Sequence, residues 1–166
     1  MDPVSITGLV GSCFSLLAST AKAIKGLHDL KGKYDDAVAD AGHLLSQIST
    51  IQASVQILQK WLDSGPVTLQ SNEQLMVTME QSLDSCLLVV SSIEKHISKI
   101  NYVDGMLTVR GKLRHVWDEE EVSRHKQNLS YQSQTLTLLL TAIQIRRPAG
   151  FDREAREPAN SQAGSR

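Results

Sequence analysis

Apolar residues recur at spacings of three and four along four long segments of the chain, and this spacing places them on one face of an α-helix in each segment. The pattern predicts helices over residues 3–30, 35–63, 72–100 and 118–146. Each predicted helix must bury its apolar face against a neighbour. Long helices with short connections therefore predict an all-α fold, a four-helix bundle.

The second and third helices carry the most regular apolar lines. On the second helix the predicted core residues are Ala37, Ala41, Leu44, Ile48, Ile51, Val55, Leu58 and Leu62. On the third helix they are Met76, Met79, Leu83, Cys86, Val90, Ile93, Ile97 and Ile100. Repeats of this kind also occur in coiled-coil dimers, so a dimer stays an alternative. Because the four segments are broken at regular intervals, closure within one chain is favoured.

The first and fourth helices have less uniform apolar faces. On the first helix the predicted line is Ile6, Val10, Cys13, Leu17, Thr20, Ile24 and Leu27, widened by Leu9, Phe14 and Leu16. On the fourth helix it is Val122, Leu129, Leu136, Leu139 and Ile143, interrupted by His125 and Gln132. We expect His125 to be a hydrogen-bonded interior histidine or to lie at the end of the bundle.

Two segments outside the long helices complete the predicted organisation. Leu113, Val116 and Trp117 predict a short extra helical turn before the last helix. Residues 147–166 are polar and lack an apolar period, which predicts a disordered tail or linker. The sequence thus predicts one helical bundle domain over residues 1–146, followed by the tail.

Composition supports a helical protein and narrows its partners. The chain has 166 residues, of which 41% are hydrophobic and only 4% aromatic, so its core is aliphatic and an all-β fold is excluded. A net charge of −1 offers no basic field for DNA or RNA, and we expect no nucleic-acid partner. The two cysteines lie in apolar segments, which indicates reduced, buried thiols and a cytoplasmic protein.

The sequence contains no recognisable catalytic, cofactor or metal motif. Residues 105–113 resemble a phosphate-binding loop but have the wrong glycine spacing and a leucine after the lysine. The five histidines show no metal-ligand spacing. The carboxylates of residues 118–121 are explained by the start of a helix. We therefore expect a protein that is not an enzyme and needs neither cofactor nor metal.

The first helix is unusual because it lacks charge from residue 4 to residue 21 and is rich in small residues. Gly11, Ser15, Ser19 and Ala23 recur at every fourth position, with Gly8 and Ser12 beside them. Small residues let helices approach closely, both in protein cores and in membranes. The pattern therefore has three explanations: tight packing in the bundle, membrane activity, or packing in one state of the protein and membrane activity in another.

Three short segments resemble a known family. They are MDPVSIT at residues 1–7, WDEEEV at residues 117–122 and LTLLLT at residues 136–141. In this order, and together with an uncharged first helix, these segments resemble the HeLo-like N-terminal domain of fungal STAND proteins of the NACHT and ankyrin-repeat type. The same domain is also named after azaphilone pigment cluster protein L. The resemblance covers residues 1–146 and implies a HeLo-like helical bundle.

The resemblance also implies a function. Related domains form the front of intracellular NLR-like receptors, ahead of nucleotide-binding and repeat domains, and are implicated in programmed cell death and heterokaryon incompatibility. By analogy this chain would oligomerise with itself, move from the cytoplasm to the plasma membrane and insert its first helix. The implied membrane and oligomerisation residues are Gly8, Gly11, Ser12, Phe14, Ser15, Leu17 and Ser19. Contacts to anionic headgroups would come from Lys22, Lys25, Lys31 and Lys33.

An interaction module without membrane activity is the alternative. In that case the regular apolar stripes of the second and third helices would extend into a dimer interface. The apparent molecular mass would then rise with protein concentration, and the protein would not bind lipid.

Overall fold

The computed structural model describes residues 6–33, 38–64, 73–102 and 119–145. They form four α-helices: α1 (Ile6–Lys33), α2 (Val38–Asp63), α3 (Glu73–Tyr102) and α4 (Glu119–Ile145). These ranges contain no strand, so the predicted all-α fold is confirmed for them. The short turn predicted around residues 113–117 and the tail at residues 147–166 lie outside the described residues.

The four helices pack as a bundle in which α1 and α4 lie on opposite corners. Helix α1 packs against α2 and α3, and α4 packs against the same two helices. Of the four helices, α1 makes the most extensive contacts with its neighbours and α4 the fewest. Removing α1 would therefore expose more of the core than removing α4.

Contacts between side chains fix the directions of the helices. Along α1 and α3, Ser19 bonds Glu94 and Gly26 contacts Ile97, so these two helices run in the same direction. Helix α4 runs opposite to α3, because His96, late in α3, pairs with Glu121, early in α4, whereas the earlier Cys86 of α3 lies 3.8 Å from the later Gln132 of α4. The short connection at residues 34–37 makes α2 antiparallel to α1. The chain therefore alternates in direction from helix to helix.

The core is aliphatic and follows the predicted lines of α2, α3 and α4 closely. The buried residues of these helices include Ala41, Leu44, Ile48, Ile51, Val55, Leu58, Leu62, Met79, Leu83, Cys86, Val90, Ile93, Ile97, Val122, Leu129, Leu136, Leu139 and Ile143. Met76 is only partly buried, while the side chains of Ala37 and Ile100 lie outside the described residues. Helix α2 ends as predicted, since Ser64 donates its backbone N–H to the carbonyl of Trp61 at 3.2 Å.

The buried line of α1 differs from the predicted one. The residues that face the core are Leu9, Cys13, Leu16, Thr20, Ala23, Leu27 and Leu30. Val10, Leu17 and Ile24 are partly buried at its edge. Phe14, which was expected to widen the core face, is 58% exposed. The cause is the mixed composition of α1, where small and apolar residues occur around the whole helix and leave its phase ambiguous.

Candidate functional site

The first half of α1 presents an exposed face that carries no charge. Its exposed residues are Thr7, Gly8, Gly11, Phe14, Ser15, Ala18 and Ala21, which we call the uncharged face. Phe14 is the only large apolar residue among them. An exposed helix of a globular protein ordinarily turns charged and polar residues outward. A water-facing surface made of small residues around a phenylalanine is therefore the feature of α1 that needs an explanation.

The hydroxyl group of Ser15 makes this face less polar than its sequence suggests. Its Oγ donates a hydrogen bond to the backbone carbonyl of Gly11 at 3.1 Å, within the same helix. A serine that bonds the carbonyl four residues earlier has its donor satisfied without water. Such a hydroxyl can enter an apolar medium at a lower cost than a free one.

The small residues of α1 do not form one continuous surface. Gly11 and Ser15 are exposed, whereas Ser19 and Ala23 are buried. The helix repeats every 3.6 residues, so a line drawn at every fourth residue rotates around the axis by about 40° at each step. The predicted stripe is therefore corrected: its first half lies on the surface and its second half lies in the core. Ser12 and Leu17, also predicted site residues, are partly buried beside the uncharged face.

Ser19 has a structural contact of its own. Its hydroxyl donates to Oε2 of Glu94 on α3 at 3.3 Å, and Lys22 lies 3.9 Å from Oε1 of the same carboxylate. Ser19 is 8% exposed. It holds α1 against α3 and is not available to a partner while α1 stays packed.

The predicted headgroup lysines follow the uncharged face along α1. Lys22, Lys25 and Lys31 are exposed, and the side chain of Lys33 lies outside the described residues. Lys25 comes eleven positions after Phe14, which is three helical turns, so it points to the same side about 16 Å further along. Along this line the outer surface of α1 changes from uncharged to charged. The exposed Asp29 lies one turn beyond Lys25, and Lys31 is turned about 100° away from Phe14 around the helix.

By length and composition, α1 is also the helix suited to cross a membrane. Among the described residues, the segment long and apolar enough to cross a membrane is Ile6–Gly32, with a mean hydropathy of 1.2. Core helices of water-soluble proteins and signal sequences near the N-terminus can have the same length and composition. In the most apolar stretch of 18 residues in Ile6–Gly32, 33% of the residues are buried. Most of this stretch is therefore at least partly open to solvent.

Both cysteines are buried, as the sequence predicts. Burial raises the pKa of the Cys13 thiol to about 11, with a smaller contribution from Asp63, and burial raises the pKa of Cys86 to about 12. Protonated thiols are poor nucleophiles. Neither cysteine is suited to redox chemistry or catalysis while the bundle is closed.

A second group of polar side chains lies between α3 and α4. Nδ1 of His96 lies 3.2 Å from Oε1 of Glu121, and Nε2 of His125 lies 3.9 Å from the same oxygen. The two imidazole rings meet edge to face with centroids 5.8 Å apart. The side chain of Glu121 is 40% exposed and forms the solvent side of the group, whereas both histidines are buried.

The surroundings of His125 favour its neutral form. Burial lowers the pKa of its imidazole, the neighbouring His96 and Arg124 lower the pKa further, and Glu121 opposes them. Nε2 of His125 is buried and has no hydrogen-bond partner. The expectation of an interior histidine is met in position, and of its two ring nitrogens Nε2 lacks a hydrogen bond.

Inspection of single histidines missed this group. Glu121 and His125 are four residues apart and so share one face of α4, a spacing that was available from the sequence. His96 lies beside the buried Ile97 on α3, and its approach to α4 follows only from the packing of the bundle.

No protein-family model matches the chain, and neither a curated protein nor a solved structure matches it.

Proposed function

We propose that this chain is a helical-bundle effector or signalling domain that docks on membranes through the uncharged face of α1 and acts after self-association. The observation that carries the proposal is the exposed Phe14 in a surface of small, uncharged residues, followed on the same side by Lys25. The resemblance to the N-terminal domain of fungal STAND receptors adds the biological role, which is programmed cell death at the plasma membrane.

The composition of the surface suits the boundary between headgroups and acyl chains. Phe14 would enter the apolar layer, while Lys25 and Lys31 would stay among anionic headgroups. Burying one phenylalanine contributes about 1.5–3 kcal/mol, and each lysine near an anionic surface contributes about 1 kcal/mol. Because the exposed Asp29 offsets about one of the two lysines, the total of about 3 kcal/mol corresponds to a dissociation constant of several mM. One copy of the domain would therefore dock only weakly.

Self-association would convert weak docking into stable docking. When several copies are held together, each further contact forms at a high effective concentration, and the overall affinity rises by orders of magnitude without new contacts. In the proposed receptor, the nucleotide-binding and repeat domains downstream would control this clustering. A cytoplasmic protein of this kind would reach the plasma membrane only after activation.

Docking by this route requires no unfolding of the bundle. The residues of the uncharged face already point away from the core, whereas release of α1 would expose fully buried side chains such as Leu9, Leu16 and Leu27. Burial of each contributes about 1.5–3 kcal/mol. We therefore place docking of the packed α1 first, and insertion of α1 into the bilayer as a later step of the clustered state.

A matched pair of substitutions tests the proposal. Phe14→Asp places a charge on the uncharged face, and Leu138→Asp places the same charge at another exposed apolar residue, on α4, where Leu138 is 70% exposed. We expect the purified chain to bind vesicles that contain anionic lipid and to release an enclosed dye at high protein density. Phe14→Asp should lose both properties, whereas Leu138→Asp should keep them.

Circular dichroism of both variants ensures that a loss of binding is not a loss of fold. Equal binding by the two variants would contradict docking through α1. If the apparent molecular mass of the wild-type protein rises with concentration but the protein binds no vesicles, an interaction module without membrane activity becomes the better explanation.

A further inference from the structure

His96, Glu121 and His125 bring three potential metal ligands from two helices to one point. One ligand atom of each residue lies within 4.8 Å of the others. The group includes a buried imidazole nitrogen, Nε2 of His125, with no hydrogen-bond partner. A buried polar atom without a partner is costly to a fold and is uncommon in native proteins. A ligand at this point would remove that cost.

We propose that these three side chains bind one divalent transition-metal ion, with Zn²⁺ as the first candidate. Two imidazoles and one carboxylate are a donor set used by zinc, and imidazole ligands disfavour Mg²⁺ and Ca²⁺. The single carboxylate offsets one of the two positive charges of the ion. Because Glu121 is partly exposed, water can complete a tetrahedral coordination from the solvent side.

Two of the three distances between ligand atoms are close to those of a zinc site. Zinc bonds of about 2.0–2.1 Å in a tetrahedral site separate neighbouring ligand atoms by about 3.3 Å. The separation of His96 and Glu121, 3.2 Å, already fits, and that of His125 and Glu121, 3.9 Å, is slightly long. The ligand atoms of His96 and His125 lie within 4.8 Å of each other, so these two atoms must also approach. Closing the site therefore requires rotation of the imidazole rings as well as movement of Glu121, the most exposed of the three.

The bound ion would link α3 to α4. Helix α4 makes the fewest contacts of the four helices, so a metal bridge would add a constraint where the bundle has least packing. The site lies on the opposite side of α3 from its contacts with α1, because His96 faces α4 while Glu94 and Ile97 face α1. Metal binding is therefore separable from membrane docking.

Calorimetric titration of the 166-residue chain with Zn²⁺, after treatment with chelator and without a histidine tag, tests the site. We expect one ion per chain, and a melting temperature raised by about 5–10 °C at a hundredfold excess of Zn²⁺ over the dissociation constant. Co²⁺ should give the strong visible absorption typical of tetrahedral coordination. Glu121→Gln and His125→Gln should each weaken Zn²⁺ binding by more than about tenfold.

The exposed histidines of the chain provide the controls. His28 and His43 are both exposed, and His28→Gln and His43→Gln should bind Zn²⁺ as the wild type does. Glu121→Gln keeps the test valid if His125→Gln fails to fold, because Glu121 lies at the surface. The proposal is overturned if the wild type binds no Zn²⁺ in the micromolar range, or if the control variants lose as much affinity as the site variants.

Discussion

In the first half of α1, a Cβ added at Gly11 would meet no atom within 4 Å, whereas in the second half a Cβ added at Gly26 would lie 2.8 Å from Cγ2 of Ile97. Glycine in a helix costs about 1 kcal/mol relative to alanine at either position. At Gly26 the close approach of α1 to α3 explains this cost. At Gly11, as at Gly32 and Gly42, no neighbour in the described structure explains it, and for Gly11 the proposed explanation is contact with a membrane or another copy.

The two halves of α1 also differ in the side chains that they expose to solvent. The first half exposes Phe14 and no charge, while the second half exposes Lys22 and Lys25. In the second half, Ser19 and Lys22 also lie against Glu94 of α3. Both halves are packed on their core side, since Leu9 and Leu16 of the first half are as fully buried as Leu27 and Leu30 of the second. The two halves therefore differ in their outer surfaces, and the uncharged outer surface of the first half is the one that we propose for a partner.

The largest effect that separates the two halves should come from one substitution made at both glycines. Gly11→Ala should raise the free energy of unfolding by about 0.5–1 kcal/mol, because alanine favours the helix and fits in open space. Gly26→Ala has the same gain in helix propensity, but displacing Ile97 costs about 1–3 kcal/mol, so the net effect should be a lower free energy of unfolding. Urea unfolding followed by circular dichroism should therefore separate the two variants by about 1–3 kcal/mol. Equal free energies of unfolding for the two variants would contradict the difference in packing between Gly11 and Gly26.

A smaller effect concerns the basic half of α1. Lys25→Gln should weaken binding to anionic vesicles by about 1 kcal/mol, roughly fivefold, and should have no effect on neutral vesicles. Lys95→Gln, at an exposed lysine of α3, is the matched control and should bind as the wild type does. Salt should weaken binding of the wild type more than binding of Lys25→Gln, because the lysine contribution is screened. A loss of affinity for neutral vesicles would show that Lys25 acts in another way.

The pattern of the sequence was sufficient to predict the helices but not every orientation. On α2 the buried residues alternate with exposed polar residues such as Ser49 and Gln56, so the phase of the helix is unambiguous. On α1 residues such as Gly8 and Ala18 are compatible with either side, and Phe14 was placed in the core although it is exposed. Periodicity predicts a buried face only where the opposite face is polar.

The group of His96, Glu121 and His125 shows a different limit. Two of its members share a face of α4 by sequence spacing, but the third comes from α3, and its distance in sequence carries no information about contact. The pairing depends on which helices are neighbours and on their register. The fold class was predictable without this knowledge, whereas the site was not.

The central claim is that α1 docks while it is packed, and a reversible cross-link tests it most directly. The Cβ positions of residues 26 and 97 are 3.7 Å apart, within the range of about 3.5–4.5 Å found in disulfides. In the double variant Gly26→Cys/Ile97→Cys, oxidation would link α1 covalently to α3, and reduction would break this link. The native thiols should not interfere, because burial raises the pKa of Cys13 to about 11 and that of Cys86 to about 12.

We would measure co-sedimentation of this double variant with anionic vesicles, oxidised and reduced, with and without Phe14→Asp. The account predicts equal binding in the oxidised and reduced forms, and loss of binding in both forms when Phe14→Asp is added. Binding that occurs only after reduction, or that Phe14→Asp does not change, would contradict it.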